Sequence, residues 1–187
     1  MLLSALLLLL CTIHTSANQV KRVIHASGDT FIRRDRQYQN YGSSRQLTVT
    51  TKDAKSARVA IIKFDNIGRN DDVSKALLRL FISEVDDNHE ERVVKIRRIN
   101  EDFYEDEVVW SEYDVHEEDP HWVEFRIVND YEGKIGQVDI TELLGSRDQS
   151  SNSMHLAIFM SDKGFVKFAS KEHENQATHP TLLVLEN

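Results

Sequence analysis

Cysteine is almost missing from this chain: Cys11 stands alone in 187 residues. It lies in an apolar leader, so the remainder has no thiol at all. A chain without cysteine pairs cannot be a disulfide scaffold, and its stability has to come from a core large enough to fold unaided. Cysteine-based catalysis and zinc–thiolate sites are excluded on the same ground. No Asn-x-Ser/Thr sequon occurs, so N-glycosylation is not expected. The histidines are scattered without a His-x-x-x-His ligand pair, and neither a Gly-x-Ser-x-Gly elbow nor a phosphate loop is present. No internal repeat, linker or low-complexity segment follows the leader.

Charge is missing from residues 1–17. That segment carries an unbroken apolar run over residues 5–10 and ends in Thr15-Ser16-Ala17, small residues that suit a signal peptidase. It reads as a cleaved signal peptide, and localisation is expected to be secreted and extracellular. Residues 2–13 are too short to cross a hydrocarbon core that needs about 20 apolar residues, so no membrane span is expected. Lys21-Arg22 reads as a dibasic processing site or as surface charge ahead of a strand. Residues 18–187 have a length typical of one domain.

The net charge of -8 conceals an asymmetry. Residues 21–63 hold ten Lys or Arg against three acids, whereas residues 101–130 hold twelve acids against one Arg. Basic residues converging on one face would favour an anionic partner; the alternative is ordinary solvated pairing between the two segments. Nucleic acid is a poor partner for a secreted, net acidic chain of pI ≈ 5.5.

β-strand patterns run through most of the chain. In residues 58–64 the alternate set is Ala60, Ile62 and Phe64; in residues 76–82 it is Ala76, Leu78, Leu80 and Ile82. The intervening sets, Val59 with Ile61 and Leu77 with Phe81, are also largely apolar, as in central strands of stacked sheets. Further strands are predicted at residues 47–51, 92–99, 122–128, 154–160, 165–169 and 181–185. A short helical turn is predicted at Thr141-Glu142-Leu143-Leu144, capped by Asp139 or Thr141 and stopped by Gly145. The expected fold is all-β, an antiparallel β-sandwich of the jelly-roll kind rather than an immunoglobulin-type Greek key.

Particular motifs narrow this further. Asp29-Thr30-Phe31-Ile32 is followed by Asn40-Tyr41-Gly42-Ser43, then by Leu47-Thr48-Val49. An Arg-containing strand, from Arg58 onward, ends in Phe64-Asp65, and Ala76-Leu77-Leu78-Arg79-Leu80 follows. Asp102-Phe103 through Val109-Trp110, Val138-Asp139-Ile140-Thr141, Phe168-Ala169-Ser170-Lys171-Glu172 and Pro180-Thr181-Leu182-Leu183-Val184 complete the series. In this order the motifs resemble the DNRLRE domain family, also classed as carbohydrate-binding module family 96 and related to the repeat region of archaeal disaggregatases. Phe103 stands where that family usually has tryptophan, and the acidic run Glu117-Glu118-Asp119 is a second departure. The resemblance implies a β-jelly-roll that binds acidic polysaccharides such as alginate.

A site for an acidic glycan needs guanidinium groups to grip carboxylates or sulfates and aromatic rings to stack on sugar faces. Arg33, Arg45 and Arg58 are the candidates for the first role, with Lys171 joining them, and Tyr41 is a candidate for the second beside Tyr38. Tyr41 also has a structural reading, folded over its turn onto the core. Trp110 and Trp122 lie in or beside apolar runs and are expected in the core. Asn40 and Gly42 are expected to supply a turn through left-handed backbone.

No cofactor is expected. Asp29, Asp65 and Glu172 could contribute to a calcium cage, but Asp86-Asp87-Asn88-His89-Glu90-Glu91 lacks the glycine of an EF-hand loop, so calcium and any other metal stay unassigned. A polysaccharide lyase would need a Tyr or His with an Arg or Gln near the uronate. Glu124-Phe125-Arg126 and the 131–137 segment supply such types without strand-regular spacing, the region around Gly133 reading as a loop. An extracellular matrix or structural protein that self-associates is the other alternative. The preferred reading is a secreted, non-catalytic module whose partner is an anionic, uronate or sulfated, polysaccharide.

Overall fold

Apolar alternation builds two layers. A computed structural model describes residues 21–51, 55–68, 73–86, 90–113, 121–144 and 152–186. The leader, the 117–119 acidic run, Gly145 and residues 87–89 lie outside the described residues. The strands are β1 (Lys21–His25), β2 (Gly28–Arg33), β3 (Gln46–Thr50), β4 (Arg58–Asp65), β5 (Val73–Val85), β6 (Glu91–Ile99), β7 (Val123–Val128), β8 (Ile135–Asp139), β9 (Ser153–Met160), β10 (Phe165–Ala169) and β11 (Thr181–Glu186). One sheet has the order β1-β11-β5-β10-β3 with β8 also paired to β5, and the other has the order β2-β4-β9-β6-β7. Their strand pairs are antiparallel. From β1 to β6 the chain alternates between the sheets at every strand, the winding of a jelly-roll sandwich.

Ala60, Ile62 and Phe64 of β4 meet Leu78, Leu80 and Ile82 of β5 in the core between the sheets, with Leu156, Ile158 and Phe168 among their neighbours. Each fully buried Ile, Leu or Phe contributes roughly 1.5–3 kcal/mol. The opposite alternation in β2, β4 and β9 is also apolar, and it explains the two-sided hydrophobicity of residues 58–64. Ile32, Val59, Ile61, Ala157 and Phe159 form a second buried cluster with Phe103, Val108 and Tyr113, and Trp110 packs against it. The 100–113 segment therefore roofs the outer face of the β2-β4-β9 side, whereas the outer face of the other sheet keeps Val23 and Ile135 exposed.

The turn at Thr141–Leu144 forms as predicted, with Asp139 Oδ1 accepting from the Thr141 N–H at 3.0 Å. Strands β1 and β8 were not foreseen. In β8, Gly136 disguises the strand; a Cβ there would overlap the Phe125 ring and the Ile82 side chain, so the glycine permits close packing. The loop around Gly133 ends at Lys134, and β8 begins at Ile135. In β1, Arg22 is tied to the body of the fold, its Nε 2.5 Å from Glu186 and its Nη2 donating to the Ile67 carbonyl at 2.6 Å.

Candidate functional site

The end of β2 and the start of β4 bring two of the expected arginines together. Arg33 and Arg58 are directly opposed in the antiparallel register, an arrangement that sets side chains side by side on one face and is unfavourable for like charges. Arg33 resolves this by gripping Asp35, Nε to Oδ1 at 3.1 Å and Nη2 to Oδ2 at 2.7 Å. That bond holds the Arg33 pKa above its ordinary value. Among the described residues Arg58 makes no ion pair of its own, although the Asp35 charge partly offsets that of Arg33. Its Nε is buried without a hydrogen-bond partner, and burial followed by the Arg33 charge pushes its pKa down.

Tyr41 completes this corner. Its ring stacks on Phe31 at 4.5 Å and 26°, while the Arg33 guanidinium carbon lies 5.7 Å from the ring centroid. Tyr41 is thus half-buried against the core, as its structural reading expects, and its ring also lies near a cation. The 3-10 turn Arg34–Arg36 follows at once, with Arg34 and Arg36 exposed. Beside it Asp35, Arg36, Gln37, Tyr38 and Gln39 line a shallow groove of about 420 Å³, and Tyr38 is 78% exposed. Arg33, Arg34, Arg36 and Arg58 thus lie near one another at a corner where Asp35 is bonded by Arg33.

Arg45 and Lys171 sit elsewhere. Arg45 Nη1 meets Glu174 at 2.5 Å with both side chains largely in solvent, a pairing worth little. Lys171 is enclosed: its ammonium lies 2.9 Å from Glu105 Oε1 and also pairs with Glu172. Burial works against the Lys171 charge, but the two carboxylates hold its pKa above the usual value. Its backbone N–H donates to Asp29 Oδ2 at 2.7 Å. Burial pushes the Asp29 carboxyl up to about 7, against the Lys171 N–H that favours its ionised form.

Residues 20–186 match carbohydrate-binding module family 96. The chain belongs to that family. No curated protein matches it.

In this family 96 module the Asn40-Tyr41-Gly42 motif works differently from expectation. Neither Asn40 nor Gly42 has left-handed backbone. Asn40 instead cross-links, its Nδ2 donating to the carbonyls of Glu105 at 2.8 Å and Val108 at 2.9 Å, and its Oδ1 accepting from the Gly42 N–H at 2.9 Å. Gly42 is required by proximity, since a Cβ would overlap the Glu105 carbonyl. The motif pins the roof segment to the sandwich.

Trp122 is a further correction. It is 42% exposed, with the Lys95 ammonium 4.2 Å from its ring centroid. The signal was available: Trp122 shares alternation with Glu124 and Arg126, the polar face of β7. Trp110, by contrast, is half-buried against the outer cluster. Of the residue types weighed for a lyase, Glu124 and Arg126 lie on β7 and Gln137 on β8, in different sheets. Arg126 is engaged by Glu91 at 2.8 Å and Glu124 at 2.9 Å.

Among the described residues no three His, Cys, Asp or Glu side chains converge in a way that could hold a metal ion. Asp29 and Glu172 do approach one another, yet the cation between Glu105 and Glu172 is the Lys171 ammonium. Asp65, next to the inward Phe64, faces the other side of the sheet. Among the described residues no helix is long and apolar enough to cross a membrane.

Proposed function

We propose that this family 96 chain is a secreted, non-catalytic module that binds an acidic polysaccharide, uronate or sulfated, along the corner built from Arg33, Tyr41 and Arg58. The observation that carries the reading is Arg58: a half-buried guanidinium opposed to a second arginine and without an ion pair of its own among the described residues. A ligand carboxylate or sulfate supplies the missing counter-charge with charge-assisted hydrogen bonds. It also relieves the Arg33–Arg58 repulsion, so binding is favoured twice by the same contact. Arg34 and Arg36 extend the positive edge along a polymeric anion, and exposed Tyr38 offers a ring for a sugar face. Arg45, paired with Glu174, and Lys171, paired with Glu105 and Glu172, lie away from this corner and make no primary contact in this reading.

The test is calorimetric titration of the full chain with oligouronides and with sulfated oligosaccharides at low and at high salt. Binding should weaken as salt screens the contacts. An Arg33→Ala, Arg58→Ala double variant should lose on the order of tenfold or more in affinity, since a hydrogen bond to a charged group is worth about 1.5–3 kcal/mol. Equal affinity for neutral glycans, or full retention of binding in the double variant, would refute the assignment. Depolymerisation of a uronan would overturn the non-catalytic part.

A further inference from the structure

The second sheet carries a basic pocket that the Arg33–Arg58 corner does not involve. Registers place His25 of β1 opposite Thr181 of β11, Thr181 opposite Arg79 of β5, and Arg79 opposite Gln137 of β8. Four polar side chains therefore form a row across the outer face, spanning roughly 14 Å at three strand spacings. Leu78 and Leu80 on either side of Arg79 point into the core, so the arginine faces outward. The Gln176–Thr178 turn and His179 fold over one end of this row and enclose a cavity of about 140 Å³ with Arg79, His25, Phe81 and Ile135 in its lining. Ile135 is 43% exposed, which leaves an apolar rim.

Arg79 forms neither an ion pair nor a side-chain hydrogen bond among the described residues, unlike Arg22, Arg33, Arg45 and Arg126. The acid of β8, Asp139, is taken by Lys75 at 3.2 Å and by the Thr141 hydroxyl at 2.5 Å. His179 Nε2 donates to the His173 carbonyl at 2.7 Å, which fixes the ring that closes the pocket. The result is an uncommitted guanidinium, with hydroxyl and imidazole groups nearby, beside an aromatic and an aliphatic wall.

We infer that this pocket is a second binding site, for a single sugar acid at the end of a glycan chain, with its carboxylate on Arg79 and its ring C–H face against Phe81 and Ile135. The volume corresponds to roughly five waters. It takes a carboxylate and the ring edge bearing it, while the remainder of the sugar lies across the rim. Enclosure by the 176–179 segment stops the chain from continuing through, so the site reads an end and the Arg33–Arg58 corner reads the polymer. The inference rests on the proposal that the module binds acidic glycans.

Amide-resolved NMR of the full chain, titrated separately with glucuronic acid, glucose, sulfate and an oligouronide, tests it. Glucuronic acid should shift His25, Arg79, His179 and Thr181. Arg79→Gln should weaken this by about tenfold or more, and Arg33→Ala with Arg58→Ala should leave it intact. Shifts confined to the Arg33–Arg58 corner would overturn the pocket while sparing the polysaccharide reading. Glucose or sulfate matching glucuronic acid would overturn the sugar-acid assignment. Absence of shifts anywhere with every acidic glycan would remove both.

Discussion

Asp29 offers the sharpest test of the physical account. Its carboxyl is 1% exposed, with Oδ1 buried and unpartnered. Burial, together with the charges of Glu105 and Glu172, raises its pKa to about 7. An acid whose folded-state pKa lies above its unfolded value contributes most stability below the unfolded value and loses it as pH rises through the folded one. Between about pH 4 and 7 the loss is roughly 1.4 kcal/mol per pH unit. From pH 5 to 8 it amounts to about 3 kcal/mol, equivalent to roughly 6–12 °C in melting temperature for a domain of this size. Asp29→Asn keeps an acceptor for the Lys171 N–H and removes the charge, so its stability should lack that decline. His155 acts in the opposite sense: burial lowers its pKa, so its contribution is lost on acidification. The comparison must therefore be variant against wild type at each pH. Urea denaturation of both proteins at pH 5, 6, 7 and 8 supplies it. A difference that stays constant across this range, or wild-type stability that leads increasingly at high pH, would refute the assignment of Asp29 as a buried acid whose pKa is raised in the folded protein.

Gly42→Ala should cost about 1–3 kcal/mol through overpacking on the Glu105 carbonyl, read as a lower urea midpoint with an unchanged m-value. Trp122→Ala should change stability by less than about 1 kcal/mol, since it removes an exposed ring and one cation–π contact. Phe168→Ala, at a fully buried position, should cost about 3–5 kcal/mol by the same assay. A Trp122 variant as damaging as the Phe168 variant would return the tryptophan to the core.

Strand positions were legible wherever side-chain alternation was strong, as in β4, β5, β9 and β10. β8 was obscured because Gly136 makes room for Phe125, a long-range packing demand with no local signature. The roof over the outer cluster was hidden for a related reason. Residues 100–113 carry no regular period, and their place is fixed by Asn40 hydrogen bonds to carbonyls 65 and 68 residues away. For the site, the arginines could be named as candidates, but their partners could not. Arg33 and Arg58 meet through strand register, while Lys171 is consumed by Glu105 from a distant segment.

The sequence by itself determined the class of this protein: an all-β chain without disulfides, its family, and a surplus of arginine near β2 that favours an anion. Periodicity, composition and ordered motifs are local properties, and they survive without coordinates. The tertiary structure alone decided which charges are neutralised. Ion pairing depends on a few ångströms between residues far apart in the chain, and register sets those distances. It left Arg58 beside Arg33 without an ion pair among the described residues, clasped Lys171 between two carboxylates, and placed Arg79 of a core strand in a pocket on the opposite sheet.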